Sequence, residues 1–437
     1  MGTGGSKHVV VDATTTLSDL LPAGSRVVAS PGCGSPSTLL ELLARRSHQV
    51  PLTLMSGLQI DGYPFLGQVD TTTFRYLTWH VAGPLRDQLA SGVVDYVPAR
   101  ASDVPRLIRG WQANVTLIRV SPADADGFHS LGPSASYPHP SAHFTPIVIA
   151  EIDPDVPRTN GAMIHESLIT ATVDSQSPMP VYEAGVPDAT SRAIARHICT
   201  LLPERPTLQL GIGAIPEAVT AELADIDLGP LRFAGMVTDS IVAVAEAGRL
   251  DADAVHPDAC ISVAELMGGP ELMRFAHDNP LVAVTESSIS HNPLVLGHVP
   301  RFVSINSAIA LDLTGQINAE TVNGRQISGI GGSVDYSEAA FASDGGLRII
   351  AMASTTRDGR HSRIVETFPP GDVVTVPRST ADIVVTEHGV ADLRGRSLAE
   401  RRAALLAICD PSFATESADH PADHPADHPA DHQEIPT

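Results

Sequence analysis

Thr207-Leu208-Gln209-Leu210-Gly211-Ile212-Gly213-Ala214-Ile215-Pro216 is the stretch that decides the fold. Its first four residues predict a short strand, its two glycines a tight turn, and residues 217–223 a helix that begins just after a proline. The same order recurs near the start of the chain, where Ser25–Ala29 predicts a strand and residues 38–43 a helix with a capping box from Thr38 to Glu41. The repetition predicts an α/β fold with two tandem open domains and largely parallel sheets.

The length of 437 residues allows two or three domains. We expect an N-terminal α/β domain over residues 1–190 and a C-terminal α/β domain over residues 191–413. From residue 414 the sequence repeats Ala-Asp-His-Pro, and the recurring proline excludes a regular helix. Residues 414–437 are therefore predicted to form a disordered tail.

Charge and residue content exclude several classes of function. The chain has 50 Asp and Glu against 28 Lys and Arg, and its formal charge of -22 repels nucleic acid and anionic membranes. Lys7 is the only lysine, which excludes Schiff-base chemistry on an interior lysine and hence pyridoxal phosphate enzymes. The four cysteines are scattered without zinc-ligand spacing, and no apolar run is long enough to span a membrane. We expect a cytoplasmic protein with no metal ion, no nucleic-acid partner and no membrane partner.

Two glycine-rich turns are candidate binding loops. The turn from Gly211 to Pro216 places backbone N–H groups at a helix N-terminus, where they can bind a phosphate or a developing oxyanion. The loop Ser328-Gly329-Ile330-Gly331-Gly332 permits close approach of a ligand to the backbone, although a bulge or a hairpin would need the same residues. Signatures of dinucleotide-binding proteins, serine hydrolases, zinc proteases and nucleoside triphosphatases are absent from the sequence. These patterns alone indicate a two-domain α/β protein with turns that favour anions.

Longer motifs resemble one known family. They occupy residues 210–216, 304–309, 312–316, 329–332 and 385–395, with residues 94–98, 120–122 and 156–161 in the N-terminal half. Over residues 20–413 the chain resembles the acetyl-CoA hydrolase/transferase family of class I CoA-transferases, which includes 4-hydroxybutyrate CoA-transferases. The resemblance implies an active site between the two domains, a homodimer, acyl-CoA and a carboxylate or water as small-molecule substrates, and no tightly bound cofactor besides coenzyme A as substrate.

The resemblance also implies a mechanism. In this family an enzyme glutamate attacks the acyl-CoA carbonyl to form a mixed anhydride, and the released CoA thiolate then converts the enzyme carboxyl into a thioester. A second carboxylic acid reverses these steps and leaves as acyl-CoA. Backbone N–H groups stabilise the tetrahedral oxyanions.

Several residues take roles by their match to the family motifs. Those implied to bind CoA are Gly211, Ile212, Gly213, Ala214, Ile215, Ile309, Ser328, Gly329 and Gly331. Asn292 matches an asparagine near the reacting carboxylate, and Gly332 matches a backbone donor of the oxyanion hole. The structural alternatives are an asparagine that caps a turn before a proline and a glycine required by a bulge.

The chain departs from the family where the nucleophile is expected. The family pattern Gly-x-His-Thr-Glu corresponds here to Gly235-Met236-Val237-Thr238-Asp239, so valine replaces the histidine and aspartate the glutamate. Loss of one methylene withdraws the carboxylate by about 1 Å. A misplacement of that size can lower the rate of a reaction between aligned groups by about a hundredfold. The backbone can compensate, or a water molecule can fill the gap, and Asp239 is also a plausible helix N-terminal residue.

Three functions follow from this departure. The first is an acyl-CoA:carboxylate CoA-transferase that acts on a short acyl-CoA through a covalent enzyme carboxylate intermediate. The second is an acyl-CoA hydrolase in which Asp239 acts as general base on water. The third is a biosynthetic acyltransferase or a CoA-binding protein without enzyme activity.

Overall fold

The protein is described by a computed structural model over residues 9–10, 20–254 and 259–414. The described residues form two large β-sheets, one mainly from each half of the chain, and helices pack on both sheets. The predicted fold class, two open α/β domains with largely parallel sheets, is confirmed. The predicted tail over residues 414–437 lies, apart from its first residue, outside the described residues.

The first sheet has eight parallel strands and uses only residues of the N-terminal half. Its strands are β1 (Val9–Val10), β2 (Ser25–Ala29), β3 (Leu52–Ser56), β4 (Phe74–Thr78), β5 (Val94–Tyr96), β6 (Val115–Val120), β8 (Ile147–Ile152) and β11 (Ala171–Asp174). They lie in the order β1-β11-β8-β6-β2-β3-β4-β5. Beside this sheet, β7 (Phe128–Ser130) pairs antiparallel with β10 (Met163–His165).

The second sheet has nine strands and is parallel except at one edge. In spatial order its strands are β24 (Gly389–Asp392), β23 (Ile383–Thr386), β21 (Leu347–Ala351), β16 (Phe302–Asn306), β12 (Thr207–Leu210), β13 (Arg232–Val237), β14 (Ile261–Leu266), β15 (Val282–Val284) and β9 (Asn160–Gly161). The remaining short strands are β17 (Ala310–Asp312), β18 (Ile317–Asn318), β19 (Thr321–Val322), β20 (Arg325–Gln326) and β22 (Ile364–Val365).

Helices connect the strands of both sheets. The α-helices are α1 (Ser37–Ser47), α2 (Leu85–Gln88), α3 (Val104–Gly110), α4 (Pro138–Phe144), α5 (Ala189–Cys199), α6 (Ala214–Asp225), α7 (Ile241–Glu246), α8 (Pro270–Ala276), α9 (Ser287–Ser290), α10 (Pro293–Leu296), α11 (Ser333–Ala342), α12 (Leu398–Leu406) and α13 (Pro411–Ala414). Short 3₁₀ helices occupy Gly32–Gly34, Pro64–Gln68, Leu89–Ser91, Ala101–Asp103 and Glu166–Leu168. No helix in the described part of the chain is long and apolar enough to cross a membrane.

Both predicted strand–turn–helix units form, but the start of each helix differs from the prediction. The first helix begins at Ser37, and its N-cap residue Pro36 makes no side-chain hydrogen bond, so the predicted capping box of Thr38 and Glu41 is wrong. A carboxylate from another strand takes part of that role, because Oε2 of Glu151 accepts a hydrogen bond from the backbone N–H of Leu39 at 3.2 Å. The helix after the second turn begins at Ala214 rather than at residue 217, since proline is tolerated in the first turn of a helix.

The two halves are joined by shared strands, shared core and polar contacts. Asn160–Gly161 of the N-terminal half forms the edge strand β9 of the second sheet, where φ of Gly161 is +101° and a Cβ would lie 2.4 Å from the Val284 carbonyl oxygen. One apolar core contains residues of both halves, among them Ile118 and Val263. Residues 175–188, which contain no helix or strand, connect the halves, and α5 begins at Ala189. This joint packing places the walls of one cavity on both halves.

Candidate active site

A cavity of about 270 Å³ lies where the two halves meet. The N-terminal half supplies Pro31, Gly32, Gly57, Leu58, Trp79, His80, Ala101, Val104, Ser136 and Tyr137. The C-terminal half supplies Gln209, Leu210, Gly211, Ile212, Gly235, Met236, Glu265, Met267, His291, Asn306, Gly329, Ile330, Gly331, Gly332, Ser333 and Tyr336. Most of these residues are apolar or glycine, which is typical of a small-molecule site.

The glycine loop at residues 329–332 forms one wall because it packs directly on the N-terminal half. A Cβ on Gly329 would lie 2.4 Å from the carbonyl oxygen of Trp79. Gly331 has φ of +58°, and its carbonyl oxygen accepts a hydrogen bond from the N–H of Ala101 at 2.9 Å. Gly332 directly precedes α11, so its N–H belongs to the group that a helix start leaves without an intrahelical acceptor. The loop therefore brings backbone donors to the cavity.

Glu265 contributes the carboxyl group of this cavity. It lies on β14 opposite Met236 of β13, next to a register shift between Gly235 and Met236. Its Oε1 accepts a hydrogen bond of 2.6 Å from the hydroxyl of Ser136. Its Oε2 is shielded from water and has no hydrogen-bond partner among the described residues. Burial raises the pKa of Glu265 from 4.5 to about 8, although the hydroxyls of Ser134 and Ser136 act in the opposite direction.

Space for the Glu265 carboxyl comes from a glycine of the N-terminal half. Gly32 has φ of +59°, and a Cβ there would lie 3.4 Å from Oε2 of Glu265 and 3.1 Å from the sulfur of Met267. The backbone of the first glycine turn thus passes close to a carboxyl on the second sheet. A side chain at position 32 would be strained and would crowd that carboxyl.

The other titratable groups on the cavity wall are neutral at physiological pH. Burial lowers the pKa of both His80 and His291 to about 4. Nδ1 of His291 lies 3.1 Å from the hydroxyl of Ser290, and its ring lies 4.9 Å from that of Tyr336. None of the described residues on the wall is lysine or arginine. A negative charge inside the cavity would therefore have polar neighbours but no cation.

The cavity brings together five of the predicted CoA and oxyanion residues. They are Gly211, Ile212, Gly329, Gly331 and Gly332. Gly213 is the N-cap of α6, and Ala214 and Ile215 form the first turn of that helix, beyond the cavity wall. Ile309 and Ser328 also lie outside the wall, next to β17 and the glycine loop respectively. The assignment of all these residues to CoA stays a prediction.

The carboxylate of Asp239 faces the N-terminus of α8. Its oxygens accept hydrogen bonds from the N–H of Gly269 at 2.9 and 3.2 Å and from the N–H of Leu272 at 3.1 Å. Asp239 does not line the cavity, and it caps a neighbouring helix rather than α7, which follows it in sequence. Its catalytic role stays a prediction.

Asn292 has a similar local role. Its side-chain oxygen accepts a hydrogen bond from the N–H of Leu294 at 3.0 Å and so caps α10. The preceding residue, His291, lines the cavity, whereas Asn292 does not. A contact between Asn292 and a reacting carboxylate stays a prediction.

Sequence reasoning missed Glu265, although a signal was present. The run Ile261-Ser262-Val263-Ala264-Glu265-Leu266 is apolar except for a serine and one acidic residue. A glutamate inside a central strand is rarely buried unless it is paired or functional. His80 and His291 were missed as well, and nothing in their local sequence distinguishes them from surface histidines.

Comparison with known proteins identifies the family. Residues 11–183 match the acetyl-CoA hydrolase/transferase N-terminal domain, and residues 268–419 match the C-terminal domain of the same family. The chain belongs to the acetyl-CoA hydrolase/transferase family. The family membership inferred from the motifs is confirmed, and the chain is an enzyme of the CoA-transferase or acetyl-CoA hydrolase kind. Asp239 and Glu265 both lie between the two matched ranges.

Similar proteins of this family carry transferase names. The 4-hydroxybutyrate coenzyme A transferase of Clostridium kluyveri is 36% identical over 401 residues, which are 89% of this chain and 92% of that protein. Butyryl-CoA:acetate CoA-transferase of Anaerostipes caccae is 31% identical over 395 residues, with 87% and 88% of the two chains covered. The crystal structure of RipA from Yersinia pestis superposes with a TM-score of 0.86 at 26% identity and covers 94% of this chain and 96% of its own.

Proposed function

We propose that the protein is an acyl-CoA:carboxylate CoA-transferase that acts on a short acyl-CoA through a covalent enzyme carboxylate intermediate. The observation that carries the proposal is a small cavity between the two halves that contains a carboxyl group and a wall of glycine backbone. Relatives that cover most of the chain are named as CoA-transferases. The family resemblance assigns the reacting carboxyl to Asp239, and the cavity contains Glu265.

The size and lining of the cavity support a short acyl group. A volume of about 270 Å³ lies below the usual range of pockets for larger ligands. Trp79, Tyr137 and Met236 supply apolar surface on the wall. An acyl chain of a few carbons fits this volume and gains free energy from leaving water. The second acid, of similar size, then occupies the same space.

The glycine loop supports stabilisation of the oxyanions. Each addition to a carbonyl carbon in this reaction places negative charge on one oxygen. Gly332 lines the cavity and is the N-cap of a ten-residue helix, where the helix dipole favours an anion. His291 and His80 are neutral there and leave that charge to the backbone donors.

Hydrolysis is the second candidate function, because the family itself includes hydrolases and the same cavity admits water in place of the second acid. In that case the enzyme carboxyl activates water, and the products are a free acid and CoA. Both reactions use the same acyl-CoA, so one assay distinguishes them.

We expect the purified protein to convert acetyl-CoA and isotope-labelled propionate into labelled propionyl-CoA, because a second acid can collect CoA from the enzyme thioester. Mass spectrometry of all CoA species measures the product. Little free CoA should accumulate, and omission of propionate should stop the consumption of acetyl-CoA. Release of free CoA at the same rate without propionate would establish the hydrolase instead.

A further inference from the structure

We propose that Glu265, rather than Asp239, is the carboxylate that attacks the acyl-CoA thioester. The inference rests on the proposed CoA transfer and names the group that carries it. It follows from three placements in the structure: Glu265 lies on the cavity wall, its Oε2 is unpartnered, and the Asp239 carboxylate is engaged elsewhere.

The two carboxyl groups occupy adjacent strands of the same sheet. Asp239 follows the end of β13 by two residues, and Glu265 is on β14 opposite Met236. Burial raises the pKa of the Cys33 thiol to about 11, and the negative charges of Glu265 and Asp239 raise it further by smaller amounts. In this assignment the attacking carboxyl lies on β14, the strand next to the one that Asp239 follows. Replacement of glutamate by the shorter Asp239 then matters little to the chemistry.

The contacts of Asp239 are those of a structural residue. Three hydrogen bonds, from the N–H groups of Gly269 and Leu272, engage both carboxylate oxygens at the start of α8. An attack on a thioester would break these bonds and leave the helix start without its acceptor. Asp239 is instead a positioning residue, because it fixes residues 267–269, which directly follow the strand of Glu265.

One carboxyl oxygen of Glu265 accepts a hydrogen bond, and the other is buried and accepts none. Ser136 donates to Oε1 and orients the group. Oε2 accepts no hydrogen bond, because the neighbouring hydroxyl of Ser134 donates to the carbonyl oxygen of Pro31 instead. Unpaired buried carboxyl oxygens are rare because they cost free energy, so such a group calls for a functional reason. A carboxylate with few donors also retains its basicity, which favours nucleophilic attack.

The proposed reaction passes through an anhydride and then a thioester on Glu265. Glu265 first releases its proton, which it regains when the cycle ends, and its carboxyl rotates so that Oε2, which is shielded from water in the structure, faces the cavity. Oε2 then bonds to the thioester carbon, the carbon–sulfur bond breaks, and CoA leaves as thiolate. The thiolate then attacks the Glu265 carboxyl carbon, and the acyl group departs as a carboxylate with the former Glu265 oxygen. An incoming carboxylate attacks the Glu265–CoA thioester, and the thiolate attacks the new acyl carbon, so that one oxygen of the incoming acid remains on Glu265. No proton, oxidant or reductant is consumed.

This oxygen transfer gives a direct test in the wild-type protein. We expect turnover with acetyl-CoA and propionate that is labelled in its carboxyl group with heavy oxygen to place the label on Glu265. Trypsin cleaves after Arg232, Arg249 and Arg274, so Asp239 lies in peptide 233–249 and Glu265 in peptide 250–274. Tandem mass spectrometry should locate the heavy oxygen at residue 265. Label on peptide 233–249 would overturn the inference and leave the CoA-transferase proposal intact.

Substitutions of the two carboxyl residues provide a second test. We expect Glu265→Gln to lower the rate of CoA transfer by a factor of about 10⁴ or more, as for loss of a nucleophile in other covalent enzymes. Asp239→Asn should retain transfer, lowered by at most about a hundredfold through misplacement of residues 267–269, and should still accumulate label at residue 265. Glu271→Gln, an exposed position in the same peptide as Glu265, is the matched control and should transfer CoA as the wild type does.

The variant outcomes separate the two proposals. Full transfer by Glu265→Gln together with loss of transfer by Asp239→Asn would assign the attack to Asp239 and overturn the inference. Turnover that leaves no heavy oxygen on any enzyme peptide would overturn the covalent intermediate and with it both proposals. Circular dichroism of each variant keeps loss of folding apart from loss of chemistry.

Discussion

Arg119→Met will lower the free energy of unfolding by about 3–5 kcal/mol, the usual effect of removing one partner from a buried ion pair. The Arg119 side chain is fully buried. Its guanidinium lies 3.2 Å from Oε1 of Glu151 and 2.9 Å from Oδ2 of Asp153. Without it, two buried carboxyl groups lose their cation. Urea unfolding at neutral pH measures the effect.

The matched control is Arg75→Met, since Arg75 pairs with Asp95 at 2.7 Å on the protein surface, where both side chains are well exposed. That variant should lose less than about 1 kcal/mol. The loss in free energy of unfolding caused by Arg119→Met should be smaller in acid. Burial already raises the pKa of Glu151, so this carboxyl takes up a proton once its cation is removed. Equal urea midpoints for the two variants would contradict the assignment of Arg119 as a buried anchor.

Arg119 also holds the segment that connects the two halves. The guanidinium also donates to the carbonyl oxygens of Ser177 and Pro178 and to the hydroxyl of Ser175. Those residues begin the connecting segment, in which the N–H of Tyr182 donates to the carbonyl oxygen of Gly268 at 3.3 Å. Gly268 belongs to the turn that follows Glu265. Arg119 thus ties the first sheet to the segment that packs beside the candidate nucleophile.

Local sequence patterns predict the architecture well because strands and tight turns depend on neighbouring residues. The strand Thr207–Leu210 and the glycine turn after it form as predicted, and so does the strand Ser25–Ala29. The capping box at Thr38 fails because the acceptor for the first turn comes from Glu151, on another strand. The crossing of Asn160–Gly161 into the second sheet is likewise invisible to local patterns, since its partner Val284 is far away in sequence.

The sequence predicts those site residues that line the cavity with their backbone, but not those that act through their side chains. Gly211, Gly329, Gly331 and Gly332 reach the cavity because glycine turns place the backbone there whatever the neighbouring side chains are. Side-chain roles depend on distant partners. Asp239 points to Gly269 and Leu272, and the environment of Glu265 is set by Ser136, 129 positions away. A motif match can assign a carboxyl to a position but cannot show which oxygen is free.

The relation between Glu265 and stability gives the last prediction. We expect Glu265→Gln to be more heat-stable than the wild type above pH 8, even though it loses CoA transfer. The folded-state pKa of Glu265 is about 8, against 4.5 for the ordinary group. The folded protein therefore holds a proton that the unfolded chain releases, and stability falls as pH rises from 4.5 through 8. One pKa unit corresponds to about 1.4 kcal/mol, so the ionised carboxylate costs the fold about 3–5 kcal/mol.

Other groups around Glu265 do not titrate in this window. Burial holds the pKa of Cys33 at about 11, keeps the pKa values of Tyr137 and Tyr336 well above 10, and keeps His291 near 4. Thermal midpoints of both proteins from pH 5 to about 9 test the prediction, with Asp335→Asn as the control. Burial raises the pKa of Asp335 only to about 6. The difference in thermal midpoint between Asp335→Asn and the wild type should therefore stop changing about two pH units lower than the difference for Glu265→Gln. A constant difference between wild type and Glu265→Gln across this range would show that Glu265 is ionised throughout. In that case solvent or a ligand, rather than a dry cavity, would surround the attacking oxygen.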